Sequence, residues 1–160
     1  MSNKVFFVSA LMILMMVVIA GGPGCQKETA RCAICYMPIP AKTRVVIRVN
    51  GGTPMVVCDA RCPLTYQHES GKKVELIQVT DYETSERLDP HDAVYVTGSD
   101  VAPDVHAEAL RATPADTAYL HWHRCLPSVL AFRKRENALR FQRAHGGTVM
   151  ALADLGFRGN

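Results

Sequence analysis

The sequence predicts an α+β fold: two tandem ββαβ-type units packed as one small domain after a lipoprotein signal peptide. Three observations lead there. Short β-rich runs alternate with helical stretches that stop at glycine. The order strand, strand, helix, glycine stop, strand occurs twice. The long apolar run is confined to the N-terminus and has the character of an export signal, not of a core helix.

Lys4 forms a minimal positive region ahead of the apolar run Val5 to Ala20. That run is shorter than the ~20 residues a membrane span needs. Small residues then lead into Cys25, so residues 1–24 read as a signal peptide ending in a lipobox, with Cys25 as the lipidated first residue of the mature chain. Gly24 fits a lipobox, whereas Gly22 and Pro23 depart from the usual leucine and alanine or serine. Several acyl chains on one cysteine hold a protein firmly where a single chain does not. The expected location is therefore outside the cytoplasm, anchored to a membrane. Gln26 in place of aspartate points to the periplasmic face of the outer membrane in a two-membrane bacterium.

Residues 25–31 form a short polar tether. The first unit, 32–98, opens with strands at 45–49 and 54–57 around the hairpin signal N-G-G. Pro63 suits the first position of a helix and would make Cys62 its N-cap. That helix runs to about Ser70 and stops at Gly71. Strands follow at 74–79 and 93–97. Residues 99–117 are rich in Ala, Pro and Asp and read as a loop. The second unit, 118–160, holds strands at 118–123 and 128–132, a helix from Arg133 to His145 ending at Gly146-Gly147, and a last strand at 148–152. At one constant offset Leu64, Tyr66, Gly71 and Val74 fall on Leu139, Phe141, Gly146 and Val149, the trace of an internal repeat.

Charge excludes more than it suggests. With Lys plus Arg at 18 and Asp plus Glu at 15, the chain is close to balanced. Its basic residues gather in R-K-R-E-N-A-L-R-F-Q-R (133–143), the solvated face of a helix, so no nucleic-acid partner is expected. There is no Ser/His/Asp order and no phosphate loop, and the protein does not read as an enzyme. Asp89 and Asp92 suit turn positions around Pro90 and His91.

The chemistry lies in the cysteines. Of six, setting aside Cys25 leaves five: Cys32, Cys35, Cys58, Cys62 and Cys125. Outside the cytoplasm cysteines usually pair, and five cannot all pair. C-x-x-C at 32–35 and C-x-x-x-C at 58–62 can surround a tetrahedral ion, a zinc-like pattern. Two disulfides, 32–35 and 58–62, are the covalent alternative. A thioredoxin-like dithiol is opposed by Pro38 and Pro40, which leave no helix after Cys35. Met37 adds a thioether, for which zinc has little use and Cu(I) has much, although methionine also fills core gaps. In H-W-H-R-C (121–125), His121 and His123 share one strand face, and Cys125 joins them if the strand continues. A solvated histidine pair is the plainer reading of that stretch.

The succession C-x-x-C-x-M-x-I, V-C-D-A-R-C-P-L-T-Y, A-V-Y-V-T-G-S-D and A-F-R-K-R-E-N-A-L-R-F-Q-R-A-H-G-G-T-V resembles the NosL family across nearly all of the mature chain. NosL proteins are accessory lipoproteins of nitrous oxide reductase. The resemblance implies a paired ββα-type fold and a membrane-anchored Cu(I) chaperone, delivering copper to an extracytoplasmic copper enzyme. It carries the ligand set Cys32, Cys35, Met37 and Cys125, with His123 in support. Cys58 and Cys62 either complete that site or build a structural zinc site. Two departures stand out. Tyr36 replaces the glycine of the family's C-x-x-C-G-M. H-R-C-L-P-S stands where the family has a G-P-M-G stretch, so Cys125 takes the place of a methionine. The alternative reading is a zinc-stabilised, membrane-tethered binding module that transfers no metal.

The lipobox assignment predicts that wild-type chain incorporates radioactive fatty acid in growing cells and that Cys25→Ser abolishes it. Incorporation persisting in Cys25→Ser would show that the acyl group is not on Cys25.

Overall fold

The computed structural model describes residues 30–101 and 125–158. The expected signal peptide, Cys25, and the expected strand at 118–123 with His121 and His123 lie outside them. The described chain builds two antiparallel sheets and two α-helices. The first unit contributes β1 (Val45–Val49), β2 (Met55–Val57), α1 (Arg61–Ser70), β3 (Val74–Thr80) and β4 (Arg87–Leu88). The second contributes β5 (Val94–Thr97), β6 (Val129–Phe132), α2 (Arg135–His145) and β7 (Thr148–Met150). Short 3-10 turns lie at Pro90–Asp92 and Leu152–Leu155.

The sheets run β2-β1-β3-β4 and β6-β5-β7. In each unit the first strand is central, flanked by the second strand on one side and the strand after the helix on the other. This is the repeat seen in the letters. The strand at 94–97, expected to close the first unit, instead opens the second sheet, pairing Tyr95 with Ala131 and with Met150. Its four residues are too few to show which unit they serve; the partner strands decide it. The intervening chain between β5 and β6 replaces the tight hairpin of the first unit, where Asn50 and Gly51 both take positive φ (48° and 72°) and N-G performs the turn its composition implies.

Both helices stop where expected. Gly71 is left-handed (φ 68°), and its N–H donates to the carbonyl of Gln67 at 3.0 Å. Gly146 also donates its N–H back, to the Gln142 carbonyl at 2.8 Å, but leaves α2 in an extended conformation of positive φ (φ 71°, ψ −163°). Gly147 has a stricter duty. Its φ is +89°, and a Cβ there would stand 2.6 Å from the carbonyl oxygen of Thr97 and 2.9 Å from the nitrogen of Ser99. Only a glycine lets the exit from α2 pass so close to the end of β5. Asp100 completes this junction: its N–H donates to the His145 carbonyl at 2.9 Å, and its carboxylate meets His145 Nδ1 at 3.0 Å. The motifs Y-V-T-G-S-D and H-G-G-T-V are thus two sides of one backbone junction.

The second sheet is covered on both faces, and the period of two sorts its residues. Tyr95, Val129 and Ala131 face a core shared with the first sheet. Val96, Leu130 and Phe132 face α2, where Phe132, Phe141 and Tyr82 stack with centroids 5.2 to 5.8 Å apart. Tyr95 is fully buried and donates its hydroxyl to the Pro90 carbonyl at 2.9 Å. Burial, and then the charge of Asp89, push its phenol above the ordinary range. Asp89 itself caps the Pro90–Asp92 turn by accepting from His91 N at 2.8 Å, the turn role its sequence suggests.

Asp81 stitches the sheets together. It continues β3 beyond Thr80 into a parallel bridge with Ala131, and Tyr82 N donates to the Ala131 carbonyl at 2.8 Å. The Asp81 carboxylate, 1 % exposed, accepts from Arg133 N at 3.1 Å and from the Thr84 hydroxyl at 2.7 Å. The C-terminus adds a second tie. Leu152, Leu155 and Phe157 enter the shared core, while buried Gln67 donates to the Gly156 carbonyl at 3.0 Å and accepts from Arg158 N at 2.9 Å.

Two substitutions test this frame by equilibrium urea unfolding. Asp81→Ala strands a buried N–H and lowers stability by about 2 kcal/mol, and Asp81→Asn lowers it less, because one acceptor oxygen remains. Gly147→Ala lowers stability by roughly 1–3 kcal/mol through its positive φ and the contact with Thr97. A neutral Gly147→Ala would mean that the junction does not constrain the fold.

Candidate metal centre

Four chain segments meet under the shared core, and each brings cysteine. Cys32 and Cys35 sit on a tight turn. Cys32 N donates to the Met37 carbonyl at 2.8 Å, Tyr36 N donates to the Cys32 carbonyl at 3.0 Å, and Arg31 and Pro38 form an antiparallel bridge at its base. Ala33 N ties the turn to β2 through the Val56 carbonyl at 3.0 Å. The turn requires a left-handed residue at position 36, and Tyr36, 68 % exposed, takes φ 62°. A glycine would adopt that conformation without strain.

Cys58 follows β2 directly, and its carbonyl accepts from the Thr43 hydroxyl at 2.7 Å. Cys62 lies in the first turn of α1. It is not the N-cap that Pro63 suggested: the helix begins at Arg61 after Ala60, so Cys62 is its second residue and Pro63 its third. Proline is tolerated throughout the first turn, where N–H groups lack helical partners in any case. The capping acceptor is Asp59, whose Oδ1 takes the Cys62 N–H at 3.0 Å. Cys125 stands at the entrance to β6, on a segment fastened where the Ser128 hydroxyl donates to the Val101 carbonyl at 2.7 Å.

All five thiols are buried, at 0–1 % exposure, and unoxidised. Cys32 and Cys62 stand 3.8 Å apart Sγ to Sγ, and Cys35 and Cys58 stand 3.6 Å apart. Cys125 lies 3.6 Å from Cys58 and 3.7 Å from Cys35. These are far beyond the ~2.05 Å of a disulfide. They match the edge of a tetrahedron of sulfurs around a central ion, about 3.8 Å for metal–sulfur bonds of ~2.3 Å. The cross-segment pairings 32–62 and 35–58 also differ from the within-motif pairs 32–35 and 58–62 that spacing alone suggests.

Two overlapping ligand sets emerge. The Sγ atoms of Cys32, Cys35, Cys58 and Cys62 all lie within 4.8 Å of one another, and so do the ligand atoms of Cys58, Asp59 and Cys125. Asp59 is fully buried, and the Cys58 thiol approaches its Oδ1 at 3.9 Å. Sequence reasoning passed over Asp59. Its signal was present, since an aspartate three residues before Cys62 is a helix-capping arrangement. Met37 is half-buried and packs against the same core cluster as the cysteines. His123 lies outside the described residues.

So many thiols in contact do not titrate independently. The Cys125 thiol, then that of Cys32, hold Cys35 far below the ordinary thiol range. Cys125 and then Cys32 push Cys58 and Cys62 far above it. Cys32 comes down to about 7: Cys35 opposes this most strongly, and contacts from Cys58 and Cys62 outweigh it. Physically, one sulfur carries charge first and its neighbours donate S–H groups to it. The donor set is soft throughout, and thiolates of this kind suit Cu(I) and zinc alike.

No family model and no curated protein matches the chain. Among solved structures, it is similar to the crystal structure of the copper chaperone NosL from Shewanella denitrificans, with a TM-score of 0.53 at 15% sequence identity, over 79% of this chain and 89% of that one. At that identity the likeness is one of architecture, and it agrees with the two sheets and two helices described above: the chain has a NosL-like fold.

Proposed function

We propose that this protein is an exported, lipid-anchored Cu(I) chaperone that hands its ion to an extracytoplasmic copper enzyme, with nitrous oxide reductase as the recipient suggested by the family resemblance. The observation that carries this reading is the convergence of five buried thiols from four chain segments in a copper-chaperone-like fold. Cys32, Cys35, Cys58, Cys62 and Cys125 supply thiolates, with Met37 and His123 as supporting soft or borderline donors. Copper is here the cargo.

Burial and delivery are compatible because of where the cysteines sit. The turn 32–37 is the outer wall of the cluster, with Arg31, Ala33 and Tyr36 exposed around two buried sulfurs. An incoming ligand from a recipient can replace Cys32 or Cys35 one bond at a time if this turn opens. The sheets and helices behind it then remain in place.

A second reading has its own support: the compact four-thiol set Cys32, Cys35, Cys58 and Cys62 has the composition of a structural zinc site. The two readings differ in how metal and fold are coupled, since structural zinc contributes its binding energy to folding.

Anaerobic purification, metal analysis and circular dichroism separate them. In the chaperone reading the metal-free chain keeps its native spectrum, takes up Cu(I) in the presence of excess Zn(II), and loses Cu(I) affinity in Cys32→Ser and Cys35→Ser without unfolding. Met37→Leu changes packing by no more than ~1.5 kcal/mol, so weaker Cu(I) binding in that variant would mark the thioether as a ligand. Purification with tightly bound zinc, and collapse of the fold on chelation, would replace the chaperone reading with the zinc module.

A further inference from the structure

We infer that the cluster holds two Cu(I) ions, with the sulfurs of Cys35 and Cys58 bridging them. This rests on the copper reading above and deepens it. A single ion accepts at most four thiolates in tetrahedral geometry, yet five thiols converge here, every one at 0–1 % exposure. A fifth thiol at such a site would be a buried ligand with no ion.

The distances sort the five into two groups with a shared edge. Cys35, Cys58 and Cys125 form a nearly equilateral triangle with sides of 3.6, 3.6 and 3.7 Å. Its centre lies about 2.1 Å from each sulfur, a few tenths of an ångström short of the ~2.3 Å of a metal–thiolate bond. Slight expansion of the triangle therefore admits a three-coordinate ion. Cys32 and Cys62, 3.8 Å apart, are the remaining pair. They belong with Cys35 and Cys58 to one set whose sulfurs all lie within 4.8 Å. A second ion between Cys32 and Cys62 thus finds its further ligands in Cys35 and Cys58, the two sulfurs already facing the first. Cys125 is absent from that four-sulfur set, which gives the cluster two ends.

The charge balance favours sharing. Two Cu(I) ions and five thiolates make a cluster with a net charge of minus three and no change of oxidation state, each sulfur still protonated beforehand releasing its proton as it binds. Two separate three-coordinate sites would need six thiolates and leave minus four in the same buried volume. Bridging thiolates each neutralise two cations at once, which matters where burial penalises unpaired charge. The N-terminus of α1, which presents Cys62, adds the positive end of a helix dipole to one side.

The test is an anaerobic titration of the full chain in detergent micelles with Cu(I), held against a chromophoric Cu(I) chelator and read by native mass spectrometry. The expected saturation is two Cu(I) per chain, with a copper–copper scattering path in X-ray absorption of the wild-type protein, a readout that needs no variant. Cys125→Ser should drop the stoichiometry from two to one, and so should the double change Cys32→Ser with Cys62→Ser. Saturation of the wild type at one Cu(I), without copper–copper scattering and with one thiol still open to alkylation after unfolding, overturns the two-ion cluster and leaves the chaperone reading standing. Failure to bind Cu(I) against the chelator removes both.

Discussion

The second sheet has no free face. Its β6 strand lies between α2 and the core of the first unit, so the pleat must send Val129 and Ala131 one way and Leu130 and Phe132 the other. A slip of one residue would exchange the two sets and place Phe132 against the shared core. The bridge from Asp81 to Ala131, with the Asp81 carboxylate on Arg133 N, holds that register. The position of Cys125 follows from it, because Cys125 is carried in on the segment that leads into β6. The candidate metal centre therefore depends on a contact well outside it. Cys125 meets Cys35 and Cys58 only while the two sheets are locked at this point.

The cysteines have two physical roles, and they compete. As thiols they are small apolar residues of the core, close to one another and members of the same buried cluster as Val57, Ala60 and Leu155. As thiolates they become a concentrated buried charge, which only a bound cation offsets. The protein without metal is thus expected to keep most of these sulfurs protonated around the one, Cys35, that is held low. Metal uptake exchanges protons for an ion without rearranging the frame, since the S–S spacings already approximate those around a metal. Asp59 sharpens this. Its carboxylate is fixed in place by capping α1, and so stands beside Cys58 whatever the metal does.

Most of the fold was legible because its signals are local. N-G marks a hairpin, glycines stop helices, and alternation marks strands whose faces differ. The order of elements followed, and so did the repeat. What could not be read was pairing between distant strands. Val94–Thr97 is a short apolar run with the same character in either unit, and its partners β6 and β7 lie far along the chain. The site divided in the same way. The spacing of Cys32 with Cys35 and of Cys58 with Cys62 announced two ligand pairs, but not that they interleave as 32–62 and 35–58. Pro63 drew the cap to Cys62, when an aspartate one turn earlier was the stronger acceptor. The motifs Y-V-T-G-S-D and H-G-G-T-V were conspicuous for a reason the letters do not state: they make a backbone junction around Gly147 and Asp100, remote in role from metal chemistry.

The clasp between Gln67 and the C-terminal segment has a consequence in time. A chain is made, and threaded through any pore, from its first residue to its last. The first unit supplies four of the five sulfurs, but Leu152, Leu155 and Phe157 are part of its core, and Gln67 finds its partners 89 and 91 residues later, at Gly156 and Arg158. The core beside the first unit is therefore complete only once residues 152–158 have docked, and contacts so distant in sequence form slowly. Until residues 152–158 dock, the cysteine turn and the start of α1 are expected to stay accessible to whatever surrounds the chain: oxidant, reductant or metal. The five-sulfur site thus waits on two later arrivals: Cys125, which brings the fifth thiol, and the segment 152–158, which fills the core beside the other four.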